Sequence, residues 1–309
     1  MELRIDEGDA GERLDKLLAR KASLGRARVA ELFAAGAVTL LSEEGRRLKA
    51  RKGDRAEPGS TLSVAIDDAS VERAAVADHE LALTVVLERP DVVIVDKPAG
   101  VPSAPIAVGE RGTIANALLA RYPEMASVGF SPREPGLCHR LDTGTSGLLL
   151  AARTKAAFDA IVGAMRFGAL DKRYLLVCEL SEGAVLDDEG AIDWPLAGHA
   201  QDARRVVACR EPQQAERLRA RAALTSFRVL RRAGRRALVE ANASRAFRHQ
   251  VRVHFASIGA PLVGDALYGT ASELGRHALH ASRLTFGGEG AVSSFDVESP
   301  LPEELERLL

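Results

Sequence analysis

An aspartate on a tight turn is the residue of this sequence best placed to do chemistry. Asp142 belongs to the segment HRLDTGTSG, which starts at His139 and runs into the apolar residues 148–152. The apolar run is typical of a buried strand, and Gly144 and Gly147 allow the chain before it to turn sharply. A carboxylate fixed at the mouth of a core strand can act as an acid, a base or a nucleophile. An isolated D-T-G string, by contrast, would most simply cap a turn.

A basic segment later in the chain could supply a partner for this carboxylate. Residues 244–259 carry apolar side chains at helical spacing. On the opposite side, basic side chains recur at helical intervals: Arg245, Arg248, His249 and Arg252. One interpretation is an amphipathic helix with a solvated cationic face. The functional alternative is that one of these arginines turns inward and holds a carboxylate in its charged form.

The elements that must position these residues alternate irregularly over residues 81–309. Strands are predicted at 81–86, 92–95, 148–152, 172–177 and 283–286, and helices at 114–121, 155–167, 244–259 and 302–309. Because this alternation has no βαβ period, we expect an α+β fold with a mixed, mainly antiparallel sheet and flanking helices.

The first seventy residues predict a separate small unit of two helices and two strands. The helices are expected at 11–21 and 26–35, and the strands at 37–41 and 61–66. This unit resembles a small RNA-binding module first seen in a small-subunit ribosomal protein, although residues 25–27 and 42–46 depart from the pattern. The alternative is a folded appendage with a solvated charged surface. We therefore predict an RNA-binding module at 1–70, a polar linker at 71–80 and a catalytic domain at 81–309.

The charge of the chain is uneven rather than large. A net charge of -1 gives no global attraction to nucleic acid, so any basic footprint must be local. Residues 204–236 contain eleven arginines against Glu211 and Glu216, a local excess of nine positive charges. This region is either a surface that follows phosphates or a solvated helix and hairpin, and the sequence favours neither.

Several classes of site are not indicated by the composition. The three cysteines are far apart and lack the spacing of a metal site, which favours free thiols in a reducing compartment. Glycine-rich phosphate loops and metal-ligand clusters are missing from the sequence, so we expect neither a cofactor nor a metal. The acidic N-terminus and the lack of long apolar runs lead us to expect a cytoplasmic protein, with monomer as the default state.

Six segments, taken together, resemble an RluA-type pseudouridine synthase. They are VDKPAGVPSAP (95–105), HRLDTGTSGLLLAART (139–154), KRYLLV (172–177), HQVRVH (249–254), GAPLVGDALYG (259–269) and RHALHA (276–281). Their order and spacing cover nearly all of residues 81–300. The resemblance implies an enzyme that converts specific uridines of structured ribosomal or transfer RNA to pseudouridine.

The resemblance also implies roles for individual residues. Asp142 would be the catalytic aspartate, Tyr174 would lie against the target base, and Arg252 would pair with the aspartate. Arg140 would contact RNA where the flipped uridine leaves its stack. The candidate substrate-binding residues are His139, Arg140, Lys97 and Arg248.

One family motif is altered in this chain. Where the family has Gly-Arg-Thr or Gly-Arg-Ser before His-Gln, residues 246–248 read Ala-Phe-Arg. Arg248 or Arg245 is the candidate replacement for the lost guanidinium. The usual His-Pro after the last strand is also replaced, by Gly287-Gly288.

The implied reaction detaches uracil from C1′ of the ribose, turns it and rejoins it through C5. Breaking the glycosidic bond builds positive charge on the sugar, which an ionised Asp142 would stabilise. The reacting atoms are hidden in a stacked helix, so the uridine must be flipped out.

Two other functions compete with this reading. An aspartic protease needs a second aspartate, and the sequence has no second D-T-G or D-S-G string. A catalytically inactive RNA-binding or ribosome-assembly protein that retains the fold is favoured slightly by the altered motif. The intact Asp142, Tyr174 and Arg252 argue against it.

Overall fold

The chain folds into two units, Met1–Glu72 and Arg73–Leu309. The computed structural model describes residues 1–22, 24, 26–65, 74–243 and 247–309, without the side chains of residues 26–28. Part of the predicted linker at 71–80 therefore lies outside the described residues, as do Arg245 and Ala246 of the altered motif.

The first unit packs two helices on a four-stranded sheet. Its elements are β1 (Glu2–Arg4), α1 (Leu14–Lys21), α2 (Arg26–Ala34), β2 (Val38–Leu41), β3 (Arg47–Lys49) and β4 (Thr61–Val64). The described strands follow the order β1-β4-β2-β3. Leu14, Leu17 and Leu18, which share one face of α1, are fully buried in its core. Helices and strands thus form where the apolar spacing predicts them, and β1 and β3 are additional.

The second unit is built on a large sheet. Its strands are β5 (Thr84–Glu88), β6 (Val92–Lys97), β7 (Ser146–Ala152), β8 (Leu170–Glu179), β9 (Glu189–Ile192), β10 (Leu196–Gly198), β11 (Val206–Ala208), β12 (Thr225–Ala233), β13 (Arg236–Asn242), β14 (Leu279–Phe286) and β15 (Phe295–Glu298). Its helices are α3 (Ile114–Arg121), α4 (Lys155–Arg166), α5 (Pro212–Leu218), α6 (Gln250–Ser257) and α7 (Glu303–Glu306).

The sheet is mixed and mainly antiparallel, as predicted. The described strands run in the order β5-β6-β7-β14-β8-β13-β12-β9, with β15 beside β14 and a separate β10-β11 hairpin. Among these pairs, β7 and β14 alone are parallel. This arrangement confirms the α+β class, and it places β7 and β8 on either side of β14.

The apolar run 148–152 is buried because β7 has a core on each of its faces. Leu149 and Ala151 contribute to one cluster, together with side chains of α3 and α6. Leu148 and Leu150 contribute to the other, which α4 covers. A central strand between two layers of helices reads as a continuous apolar sequence rather than an alternating one.

The helix predicted at 244–259 begins later than expected. The interpretation that its basic face is solvated is also wrong at Arg252. The helix α6 begins at Gln250, and His249 before it adopts a left-handed backbone with φ 58°. The amide N–H of Phe247 donates to the Gln250 side chain, which closes a turn instead of continuing the helix. Arg252 is buried, so the alternative of an inward-turned arginine is the one the structure adopts.

The arginine-rich region contains a helix and a hairpin, as one interpretation expected, together with a second small hairpin. It contains the β10-β11 hairpin, the short helix α5, and the long strands β12 and β13 that extend the main sheet. The last predicted strand is longer than expected, because β14 already begins at Leu279.

Candidate active site

A cavity of about 680 Å³ opens where the Asp142 turn meets β8 and the start of α6. Its walls bring together the predicted residues Asp142, Tyr174 and Arg252. His139, Arg140 and Arg248 line the same cavity. The residues that the sequence separates by more than a hundred positions therefore converge in one place.

The backbone around Asp142 is held from several directions. The amide N–H of Thr145 donates to the Asp142 carbonyl oxygen at 3.0 Å, which closes the turn. The Ser103 hydroxyl donates to the Leu141 carbonyl at 2.7 Å and accepts from the Leu141 amide at 3.0 Å. Arg276 donates to the Gly144 carbonyl at 3.1 Å. A turn restrained in this way holds its carboxylate in one position.

Two histidines of the RHALHA segment hold the start of β7. His277 Nε2 lies 2.8 Å from the Thr145 hydroxyl, and His280 Nδ1 lies 2.9 Å from the Ser146 hydroxyl. These contacts require the parallel strands β7 and β14 to approach closely. Gly147 permits it, since a Cβ built there would collide with the backbone of Ala281, and its φ is 108°. The glycine of this turn is thus needed for packing as well as for bending.

Arg252 joins two carboxylates. Its Nη1 lies 2.7 Å from Asp142 Oδ2, while its Nε and Nη2 bind both oxygens of Asp265 at 2.7 and 2.8 Å. Burial alone would lower the pKa of Arg252, but the two carboxylates outweigh it and the pKa is raised. Asp265, which is 1% exposed, fixes the guanidinium so that its remaining donor points at Asp142.

His249 and Tyr268 form a second support for the Asp142 carboxylate. The sequence analysis did not assign this role to either residue. His249 Nε2 lies 3.7 Å from Asp142 Oδ1, and its Nδ1 lies 2.8 Å from the Tyr268 hydroxyl. The Tyr268 ring centroid is also 5.2 Å from the Arg252 guanidinium. Asp265 and Tyr268 both belong to the segment GAPLVGDALYG, whose match to the family was the one signal available for them.

Tyr174 lies on β8 with its side chain toward the cavity. It is 6% exposed, and burial together with the nearby charge of Asp142 raises the pKa of its phenol. The neutral phenol therefore persists throughout the physiological range. A flat ring on a central strand gives the cavity a rigid apolar wall.

Lys97 does not have the substrate-binding position that we predicted. Its side chain is fully buried under the turn, and its ammonium donates to the carbonyls of Pro98, Val101 and Thr143 at 2.9, 2.7 and 3.1 Å. Burial lowers its pKa to about 8. A buried cation with three acceptors holds the loop that supports Asp142, so its place is structural.

The other predicted substrate-binding residues face the cavity in different ways. Arg140 is exposed and paired with Glu134 at 2.9 Å. His139 accepts a hydrogen bond from the Leu150 amide through Nε2, and burial, with the charge of Lys172, lowers its pKa to about 3. Arg248 is exposed and donates to the Ala203 carbonyl at 2.6 Å, which ties the β10-β11 loop to the cavity wall.

Many of the arginines in residues 204–236 are neutralised by nearby acids. Ion pairs join Arg204 to Asp202, Arg228 to Glu240, Arg231 to Glu306, Arg232 to Asp188 and Arg236 to Glu179. Three other exposed arginines lie over aromatic rings instead: Arg205 over Tyr268, Arg210 over Trp194 and Arg221 over Phe247. Of these three, Arg221 lies over Phe247, which lines the cavity.

Neither a membrane span nor a metal site was found in the described part of the chain. None of its helices is long and apolar enough to cross a membrane. Within the same residues, histidine, cysteine, aspartate and glutamate side chains do not gather in groups of three or more that could hold a metal ion.

Comparisons with known proteins agree with this geometry. The model of the RNA pseudouridylate synthase family matches residues 91–257. The chain is 32% identical to the ribosomal large subunit pseudouridine synthase D of Xanthomonas campestris, over 99% of this chain and 90% of that protein. It is 29% identical to an uncharacterized RNA pseudouridine synthase of Bacillus subtilis, over 100% of this chain and 97% of that protein.

Solved structures show the same fold. Human RNA pseudouridylate synthase domain containing 1 aligns with a TM-score of 0.56 at 24% identity, covering 71% of this chain and 83% of its own. Human RNA pseudouridylate synthase domain containing 4 aligns with a TM-score of 0.54 at 22% identity, covering 73% and 92%. From the family match and the full-length relatives, the chain belongs to the RNA pseudouridylate synthases and is an isomerase that converts uridine in RNA to pseudouridine.

Proposed function

We propose that this enzyme modifies uridines of large-subunit ribosomal RNA, with Asp142, Arg252 and Tyr174 as its catalytic residues. The observation that carries the residue assignment is the 2.7 Å contact between Arg252 and Asp142 at the edge of an open cavity. The choice of RNA rests on the name of the full-length Xanthomonas campestris relative. Transfer RNA is the alternative substrate.

Asp142 is the group proposed to act on the ribose. It is 23% exposed, so a flipped nucleotide can reach it, while the backbone that carries it is restrained. It either attacks C1′ or removes a proton from the sugar, and both routes need the ionised carboxylate. The Arg252 guanidinium pairs with one carboxylate oxygen at 2.7 Å and so fixes the position of the group.

Tyr174 is proposed to bind the flipped base, and Arg140 is proposed to contact the RNA strand from which the base is flipped. The Tyr174 ring offers a face on which the flipped uracil stacks, and its neutral hydroxyl can take part in the late proton transfer at C5. The Arg140 side chain lines the cavity and is 64% exposed, so its guanidinium, once released from Glu134, can fill the gap in the base stack.

The ring-stacked arginines supply a place for the RNA backbone. A guanidinium held over an aromatic face is already ordered and keeps its donors free for phosphate oxygens. Arg205 and Arg221 lie over rings of Tyr268 and Phe247, and Phe247 lines the cavity. The first unit is proposed to add a further RNA contact. A monomer that acts on ribosomal RNA in the cytoplasm fits these features.

The test is the variant Asp142→Asn, which keeps the shape and removes the charge. We expect pseudouridine formation to fall by on the order of 10⁴-fold while RNA binding is retained. Ribosomal and transfer RNA from cells lacking the gene would be incubated with each protein, and pseudouridine would be mapped in both pools. Wild-type activity confined to transfer RNA would refute the ribosomal substrate, and a fully active Asp142→Asn variant would refute the catalytic assignment.

A further inference from the structure

A second buried lysine lies in the cavity, and the assigned residues do not account for it. Lys172 is on β8, two positions before Tyr174 and on the same face of the strand, and it is 3% exposed. It lines the same cavity as Asp142. Among the described residues, the ammonium of Lys172 has no hydrogen-bond or ion-pair partner. The buried ammonium of Lys97, by contrast, donates to three carbonyl oxygens.

The neighbours of Lys172 do not compensate its charge. The nearby imidazole of His139 is neutral, and its Nε2 lone pair is already used by the Leu150 amide. Cys138 and Met165, which line the same cavity, are uncharged. Tyr122 Oη is the one fully enclosed side-chain polar atom of the described residues that lacks a hydrogen-bond partner, so the Lys172 ammonium must reach the cavity. A largely desolvated ammonium that opens into a cavity and has no protein partner marks a binding position for an acceptor group of a ligand.

The position of Lys172 relative to Asp142 indicates which part of a nucleotide it would meet. On β14, Ala281 pairs with Tyr174 and Leu284 pairs with Lys172, whereas the first residue of β7, Ser146, lies opposite His280. Because the Asp142 turn comes just before Ser146, Lys172 lies further from this turn along the sheet than Tyr174 does. A uridine with its C1′ at Asp142 and its ring along Tyr174 would direct its carbonyl edge toward this lysine.

We propose that Lys172 is a catalytic residue that binds the carbonyl edge of the flipped uracil and stabilises the uracil anion during glycosidic cleavage. This rests on the proposed role of Asp142 at the sugar. When the C1′–N1 bond breaks, its electron pair stays on uracil, and the negative charge is shared by N1, O2 and O4. Lys172 remains an ammonium and donates to a carbonyl oxygen, so no proton leaves it. When C5 attacks C1′, the electron pair forms the new bond and the ring becomes neutral, so the contact weakens. The C5 proton is then lost and N1 takes up a proton.

The same contact discriminates between pyrimidines. Uracil presents a carbonyl oxygen at C4, which accepts from an ammonium, whereas cytosine presents an amino group that is itself a donor. A buried donor facing another donor is left unpaired, and such a mismatch is a strong basis for rejection. Lys172 would thus favour uridine over cytidine as well as assist bond cleavage.

The test compares Lys172→Met on two leaving groups. The substrate is RNA from cells lacking the gene, grown with or without 5-fluorouracil, because this RNA holds the true target whichever RNA that is. Single-turnover rates are followed by mass spectrometry of the rejoined nucleosides after digestion. On uridine we expect the rate constant to fall about 100-fold or more with an unchanged Kd for RNA, as for removal of other donors to a developing charge. On 5-fluorouridine, whose fluorine stabilises the anion, we expect at least a tenfold smaller loss.

Lys97→Met is the matched control, because it removes an equally buried lysine with a structural position. It should lower the rate on both leaving groups by the same factor. Lys172→Met should also melt at the same temperature as the wild type or higher, since it removes an uncompensated buried charge, whereas Lys97→Met should melt lower. An equal loss on both leaving groups, an unchanged rate on uridine, or a lowered melting temperature for Lys172→Met would overturn the proposal. None of these outcomes depends on whether the target is ribosomal RNA.

Discussion

The two ends of the cavity differ in how their charges are compensated. At one end, Asp142, Arg252 and Asp265 are mutually paired, and the backbone of the turn is bonded to Lys97 and Arg276. At the other end, Lys172 is 3% exposed, and its ammonium has no hydrogen-bond or ion-pair partner among the described residues. The comparison teaches that the protein itself compensates the charges at the Asp142 end, whereas it leaves the ammonium at the Lys172 end open to the cavity.

The largest effect should come from removing Arg252, which pairs with both carboxylates at the Asp142 end of the cavity (the paired end). Arg252→Gln removes the partner of Asp142 and leaves Asp265 buried without a cation. We expect activity to be lost and the free energy of unfolding to fall by about 3 to 5 kcal/mol, because an unpaired buried carboxylate remains. Urea unfolding and the pseudouridine assay measure the two effects. Arg228→Gln, which removes an exposed arginine paired with Glu240, is the control and should change neither.

The close approach of β7 and β14 can be tested without altering any charge. Gly147→Ala places a methyl group against the backbone of Ala281 at a φ of 108°. We expect a loss of about 3 kcal/mol in the free energy of unfolding and a displaced Asp142 turn. Gly163→Ala in α4 meets nothing within 4 Å and should instead stabilise the protein slightly. Equal stability of the two variants would contradict the packing argument.

A smaller effect is expected from the second support of Asp142. Tyr268→Phe removes the hydroxyl that contacts His249 Nδ1 and accepts from the Val206 amide at 2.8 Å. The ring remains, so the loss should be about 1 to 2 kcal/mol in stability, with activity lowered about tenfold. The fall should appear in kcat rather than KM, because the substrate contacts are retained. A change confined to KM would assign the hydroxyl to substrate binding instead.

A pH dependence of stability tests the buried histidines of the site without any substitution. Burial lowers the pKa of His139 to about 3 and, with the charge of Arg252, that of His277 to about 4. Both values lie below the ordinary value of 6.5, so the unfolded chain binds protons that the folded chain excludes. The free energy of unfolding should therefore decrease as the pH falls from about 6.5 toward 4. Urea titrations across this range measure the slope, and His139→Gln should make it shallower.

Much of the paired end could be predicted from sequence because its signals are local. The D-T-G turn, the apolar run after it and the basic spacing around Arg252 are short-range patterns. Asp265 and Tyr268 lie in a loop with no such pattern, and their roles depend on contacts that only the folded chain makes. Lys97 was misassigned for the same reason, since a lysine before Pro-x-Gly is normally exposed.

The sequence indicated a hairpin in the arginine-rich region but did not locate its strands, because charged side chains cover their outer faces. In β12 the exposed residues alternate with half-buried ones only as far as Leu230, and the bulge between Val229 and Arg231 breaks the period. The start of α6 was misplaced because Phe247 continues the apolar spacing of the helix. Its chain instead turns at His249, a position that local propensity does not mark.

The order of strands has a consequence for protein synthesis. β14 separates β7 from β8 in the sheet, although it is made long after both, and Arg252 follows Asp142 by 110 residues. A chain still emerging from the ribosome has neither its central strand nor the guanidinium for its aspartate, so the unit forms only near the end of translation. Until then Asp142 has no guanidinium beside it, and the cavity has only part of its walls.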